Sequence, residues 1–405
     1  MTAGLYDATE GQTPRAREQD QLVRLNAQIA RMREAQPFWG ERLADVGVLQ
    51  SLADLAALPV LRKSDLVGLQ VEESPFGGLN GNPVSSLRRM FISPGPIFDP
   101  EGRGPDWWGS ARALHAAGVR QGDVILNTFS YHLTPAAFIF EAGAEAIGCP
   151  VIPSGPGNTA EQLVAIRQFR PRVYVGVPDF LKIILDKADE AGSDRSSLQV
   201  GMVTGAALPE TLRAELAGRG VAVRQCYGTA DLGIIAYEDG GPGMVLNEGV
   251  IVEILRPGTG DRVAEGEVGE IVVTRLDGDY PLLRFATGDM SALLPETTSP
   301  EGRTNRRIKG WMGRADQATK IKGMFVRPEQ IAAIERAVPG CQRLRLEVSR
   351  NGEQDRMHLL AEHPDSSAAA DLAEKLAEIT RLKGTVEVVA PGSLPNDGKV
   401  IADLR

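Results

Sequence analysis

The sequence predicts an α/β protein: a large N-terminal domain with mostly parallel sheets, flanking helices and a small β-barrel-like region, then a small α+β C-terminal domain. Three observations predict it. From Asp123 onward, short apolar runs rich in β-formers (DVILNTF, CPVIP, RVYVGVP, LQVGMVTG, VAVRQCYG) alternate with helical stretches such as AEQLVAIRQF and DFLKIILDKADEAG. Strands separated by helices imply crossover connections and parallel pairing. From Gly249 to Leu294 the texture changes to VIVEIL, GEIVVTR and YPLLRFATG divided by glycine-rich turns, which reads as antiparallel strands. After Gly310 comes a compact set: helix PEQIAAIERAV, strands RLRLEVSR and RMHLLAEH, helix AAADLAEKLAEITRL and a last strand TVEVVA. A chain of 405 residues is long enough for two cores, and this parse assigns residues 1–315 to the large domain and 316–405 to the small one.

From Pro14 to Leu43, leucine, isoleucine and alanine recur at helical spacing between charged residues, so an amphipathic helix is expected to pack on the main body and to offer a surface for a homodimer. Hydrophobic residues at 42% and charged residues at 24% are globular values that argue against disorder and against a membrane span. A net charge of -9 without a basic patch disfavours nucleic acid and anionic lipid as partners. Cys149, Cys226 and Cys341 are odd in number and lack CxxC spacing, so reduced thiols are expected rather than a disulfide framework or a zinc site. The opening MTAGLYDATEGQ shows no basic region followed by an apolar run, and a cytoplasmic protein is the expectation.

Ligands of open α/β sheets gather at the carboxyl ends of the strands. Three segments fall there: Thr204-Gly205-Ala206-Ala207, Tyr227-Gly228-Thr229-Ala230-Asp231, and Asn127 to Pro135, NTFSYHLTP. Glycine beside an aromatic suits a flat ring laid on closely approaching backbone, with a carboxylate at hand for a cation. Further on stand Arg284-Phe285-Ala286-Thr287-Gly288-Asp289, then Gly313-Arg314-Ala315-Asp316, Lys322-Gly323 and Gly398-Lys399. Any one of these is an ordinary turn. Their order, with LNAQIARMREAQPFWGERL, SLADLAALPVLRKSDL, IPSGPGNTAEQLVAIRQFRP and LPNDGKV, resembles the phenylacetate-coenzyme A ligase branch of the acyl-adenylating, AMP-binding superfamily over nearly the whole chain.

The resemblance implies a large adenylate-forming domain, a mobile C-terminal lid, and two half-reactions. A carboxylate, here that of an aromatic acid, attacks the α-phosphate of ATP in the presence of Mg2+, and coenzyme A then displaces AMP. It implies a nucleotide site of Gly205, Ala206, Ala207, Gln225, Tyr227, Gly228, Thr229, Asp289 and Arg314, with Tyr227 stacked on adenine and Asp289 accepting from the ribose hydroxyls. Lys399 would bridge the substrate carboxylate and the α-phosphate. Asp231 would serve the metal, Asp316 the hinge, and Lys322 with Gly323 the coenzyme A arm, beside a basic stretch of Arg306, Arg307, Lys309 and Lys320 that reads equally as a solvated face. The acyl pocket would draw on Tyr131, His132, Ala136, Phe138, Gly155 and Pro178, aromatic and small residues that suit an uncharged ring, with His132 as the polar exception that gates the pocket, contacts the carboxylate or is simply hydrogen-bonded in place.

Three places depart from the family pattern: Ala230-Asp231 stands where the family has a Thr-Glu pair, Ala286 where it has an arginine or other polar residue, and the third departure is the largest. Where relatives carry a Ser/Thr/Gly-rich phosphate loop ending in lysine, this chain has Ser93-Pro94-Gly95-Pro96-Ile97-Phe98-Asp99-Pro100. Prolines delete donors, and Asp99 opposes the distal phosphates with the wrong sign. Two readings stand. In one, a ligase holds phosphate through Ser93, the Gly95 N–H and nearby arginines; in the other, a degenerate member binds AMP or an acyl-adenylate with weak ATP activation. Retention of Lys399 favours the first. A dinucleotide-dependent oxidoreductase is disfavoured, since no GxGxxG opens a helix after a strand.

Overall fold

The computed structural model describes residues 4–276, 279–315, 317–321, 324–351 and 354–405. Asp316, Lys322 and Gly323 lie outside the described residues. The chain forms two compact units, one of residues 1–252, 273–285 and 294–310, the other of 253–272, 286–293 and 311–405.

In the first unit an eight-stranded sheet runs in the order Arg307–Ile308, Met244–Leu246, Gly233–Tyr237, Ala222–Thr229, Val200–Val203, Val173–Gly176, Ile125–Asn127, Val151–Pro153. The last five strands pair in parallel. Helices Ala136–Ile147, Thr159–Phe169, Pro178–Glu190 and Glu210–Gly218 make the crossovers. Side chains alternate across a strand, and here both faces are buried: Val173 and Val175 join one core with Trp108, Ile139 and Phe140, while Tyr174 joins another with Leu181, Ile184 and Leu216. This explains why the strands read as unbroken apolar runs.

The expected N-terminal helix is Pro14–Ala35, opened by proline and capped by Thr13, whose hydroxyl accepts from the Ala16 N–H. Its buried face carries polar groups as well as leucine: Arg17 bonds Glu248 at 2.8 Å and Gln28 donates to the Arg275 carbonyl at 2.7 Å. The strands expected after Gly249 appear as Val250–Leu255, Gly269–Arg275 and Phe285–Ser291.

The second unit contains a sheet in the order Thr385–Val389, Gln354–Glu362, Arg343–Asn351, Ile401–Asp403, with helices Pro328–Ala337 and Ala369–Thr380. Thr385–Val389 is not the last strand: Ile401–Asp403 follows and pairs in parallel with Leu346 to Val348. Three residues are too short for a periodic signal, so only the finished sheet reveals this strand. No helix among the described residues is long and apolar enough to cross a membrane. The three cysteines are free.

Candidate active site

The carboxyl ends of the parallel strands, with the loops and helix starts that follow them, hold most of the expected residues of the first unit. Gly205 turns the chain at φ 78°, a left-handed conformation that disfavours a side chain. Gln225 donates to the Ala206 carbonyl at 3.2 Å, joining two of the expected nucleotide-binding segments, and Ala207 is exposed beside them. Tyr227 is buried, and the register of its strand shifts between Tyr227 and Gly228. A Cβ at Gly228 would collide with the Gly233 carbonyl, so glycine is required at this bulge. The Thr229 hydroxyl accepts from the Leu232 N–H at 3.3 Å and closes the turn that carries Asp231.

Around the expected acyl pocket, the Tyr131 hydroxyl donates to Glu141 at 3.0 Å and accepts from Asn127 at 3.1 Å, so its ring is what remains to be offered. Burial, with the adjacent Glu141 carboxylate, pushes its phenol pKa well up. Phe138 is packed edge-on by Tyr131 and lies under the Arg89 guanidinium and against Phe91, which draws it toward the core. Ala136 opens its helix, His132 is exposed, the Gly155 carbonyl accepts from Gln162 at 2.7 Å, and Pro178 starts a helix with its ring buried.

The segment read as a phosphate loop is a hairpin. Arg89–Ser93 pairs antiparallel with Ile97–Glu101, leaving residues 94–96 as the turn. Gln70 bonds Phe98 on both its N–H (2.9 Å) and its carbonyl (2.8 Å), and the Ile92 N–H donates to the Leu133 carbonyl at 2.8 Å. Ser93 is buried and its hydroxyl donates to Ile97 at 3.4 Å, while Gly95 sits in the exposed turn. Asp99, expected to face phosphate through solvent, is instead 1% exposed. Alternation explains it: Asp99 shares the inward face of its strand with Ile97 and Glu101.

Asp231, expected to serve a metal, faces a lysine. Lys63 Nζ lies 2.6 Å from Asp231 Oδ2, and the Asp231 side chain is fully buried. Asp231 Oδ1 and both oxygens of Asp99 have no hydrogen-bond partner among the described residues. Burial, with the neighbouring Asp231 charge, pushes the Asp99 carboxyl up to about 8 against a pull from Lys63, so at neutral pH it holds its proton. With Asp99 holding its proton and the Lys63 ammonium on Asp231, the set is already neutral. Among the described residues no group of three or more His, Cys, Asp or Glu side chains is arranged to hold a metal. With an ammonium already seated on its carboxylate, Asp231 does not fit Mg2+.

In the second unit Asp289 Oδ1 accepts from Trp311 Nε1 and Arg314 Nη1, each at 3.0 Å. The Asp289 N–H donates to the Thr287 hydroxyl at 3.2 Å, fixing the threonine and aspartate of the motif relative to each other. Lys399 is exposed on a loop held by its neighbours: its N–H donates to Asp397 at 3.0 Å, and Arg345 grips Asp397 at 2.8 and 3.0 Å. Gln317 completes the clamp, donating to the Gly398 carbonyl and accepting from the Val400 and Ile401 N–H groups at 2.6 and 2.7 Å. Of the expected basic stretch, Arg307 is no phosphate ligand. It is buried in an ion pair with Asp239. Lys309 and Lys320 are exposed.

Sequence reasoning missed Lys63, Gln70, Trp311 and Gln317. Lys63 stands in a segment that carries the family resemblance, yet no spacing rule links it to Asp231, 168 residues away.

Residues 110–276 match the AMP-binding enzyme family. A phenylacetate-coenzyme A ligase of Pseudomonas putida is 30% identical over 349 residues, 81% of this chain and 77% of that protein. One from Thermus thermophilus is 30% identical over 369 residues, 86% of this chain and 81% of its own. A solved 2-hydroxyisobutyryl-CoA ligase, in an open conformation with 2-HIB-AMP and CoA, has the same fold, with a TM-score of 0.71 and 23% identity over 96% of this chain and 91% of that one. These matches, spanning both the sheet that carries Tyr227 and the segment that carries Asp289, place the chain in the phenylacetate-coenzyme A ligase family of AMP-binding enzymes.

Proposed function

We propose that this protein is an AMP-forming acid–thiol ligase that joins an aromatic carboxylic acid to coenzyme A. In the first half-reaction a carboxylate oxygen attacks the α-phosphorus of ATP, the bond to the β-phosphate oxygen breaks, and pyrophosphate leaves. In the second, the thiol sulfur attacks the acyl carbonyl, AMP leaves with the electron pair, and the thiol proton is released. Asp289 carries the reading. A carboxyl positioned by Trp311 and Arg314 suits two vicinal ribose hydroxyls.

Tyr227 and the Gly205 to Ala207 turn are assigned to adenine, with Gln225, Gly228 and Thr229 shaping that edge. Lys399 is assigned to the developing charge between acid and phosphate, and Tyr131 and His132 to the aromatic acid. Lys322 and Gly323 are assigned to coenzyme A and Asp316 to a hinge between residues 1–315 and 316–405; these three lie outside the described residues. A cytoplasmic setting and a homodimer belong to the same proposal.

The experiment is pyrophosphate release over a panel of aryl acids, with and without coenzyme A. Acid-dependent release is expected. AMP binding with no release for any acid would overturn the reading in favour of a nucleotide binder.

A further inference from the structure

Helix Lys63–Glu72 presents Lys63, Leu66 and Gln70 at i, i+3 and i+7, hence on one side. Leu66 and Gln70 are buried, and Gln70 holds the hairpin strand that carries Asp99. The same side sets the Lys63 ammonium on Asp231, at the end of the strand that bears Tyr227 and Thr229. Asp231 is the position at which the family resemblance expects a ligand for a divalent cation. A 2.6 Å contact to a side chain with no exposure of its own is a closed pair.

We propose that Lys63 is the permanent cation of this site: its ammonium occupies the carboxylate of Asp231, so that the protein supplies no ligand for a divalent ion there and magnesium enters only on the phosphates of the nucleotide. Three features bear on it. The Lys63 side chain is 26% exposed and that of Asp231 not at all, so a lysine rather than a carboxylate lines the approach to the pair. The second carboxyl of the cluster, Asp99, is 1% exposed with both oxygens buried, so it offers no accessible ligand to a cation. The hairpin that replaces a glycine-rich loop closes over Asp99 with a full ladder of backbone pairs, so no carboxylate is free to rotate outward. A metal seated on Asp231 has to expel an ammonium from a buried carboxylate, whereas a metal carried by ATP does not.

The proposal rests on the family reading for what is expected at Asp231, but its test does not depend on ligase activity. Mn2+ is titrated into the full chain without nucleotide, and free ion is read by electron paramagnetic resonance. Wild type and Asp231→Asn are expected to bind Mn2+ equally weakly. Lys63→Met should gain a Mn2+ site at least ~10-fold tighter than wild type, and Lys63→Met with Asp231→Asn should lose it again. Wild type binding Mn2+ at least ~10-fold tighter than Asp231→Asn would overturn the proposal, as would a folded Lys63→Met with no gain. If Lys63→Met does not fold, the comparison of wild type with Asp231→Asn still decides. Absence of pyrophosphate release would count against the ligase reading and leave this result standing.

Discussion

Replacing Asp99 with asparagine should stabilise the protein, by an amount that grows with pH. Asp99 is 1% exposed, neither of its oxygens has a hydrogen-bond partner among the described residues, and it lies near the Asp231 charge. Its carboxyl is raised from 3.8 to about 8, so over that interval the folded chain keeps a proton that the unfolded chain releases. Folding then takes up a proton, and stability falls as pH rises, by ~1.4 kcal/mol per pH unit, until the folded carboxyl ionises near pH 8. This is the reverse of a salt-bridged aspartate. From 3.8 to neutral pH is about three units, so the deficit at pH 7 is on the order of 4 kcal/mol, an upper value because the cluster can relax. Asparagine has nearly the same shape and no charge to lose. Urea unfolding of both proteins at pH 5, 6, 7 and 8, followed by the fluorescence of Trp39, Trp107 and Trp108, gives the difference at each pH. The advantage of Asp99→Asn should widen steadily from pH 5 to 8. A constant difference, or a wild type that grows more stable with pH relative to the variant, would show that Asp99 is ionised in the fold and would refute the reasoning.

Asp289→Ala should weaken AMP and ATP alike, since the ribose is common to both, by ~3 kcal/mol if two charge-assisted hydrogen bonds are lost; unchanged affinity by calorimetry would remove Asp289 from the nucleotide site. Lys399→Ala should slow adenylate formation by about 100-fold, equivalent to ~3 kcal/mol of lost charge stabilisation, while thioester formation from a supplied acyl-adenylate continues. Equal loss in both half-reactions, followed by pyrophosphate release and by thioester appearance, would count against its role.

Much of this protein is written locally. The runs RVYVGVP and LQVGMVTG carry β-propensity and burial on both faces, and those properties suffice for parallel strands between helices whatever the rest of the chain does. PEQIAAIERAV and AAADLAEKLAEITRL carry helical periodicity and became helices within a few residues of their expected ends. The motif order likewise marked Asp289 and Arg314 through the family resemblance, and the structure pairs them across 25 residues. Asp99 and Lys63 were not legible in this way. Sequence supplies the sign of a charge but neither its burial nor its partner, and those depend on which face of the hairpin turns inward and on a helix that meets Asp231 across 168 residues. An aspartate that seemed to oppose phosphate is a core residue whose carboxyl burial pushes up to about 8, and an aspartate that seemed poised for a metal is bound to a lysine. Electrostatic energy depends on distance and dielectric, and both are set only when the chain has closed on itself.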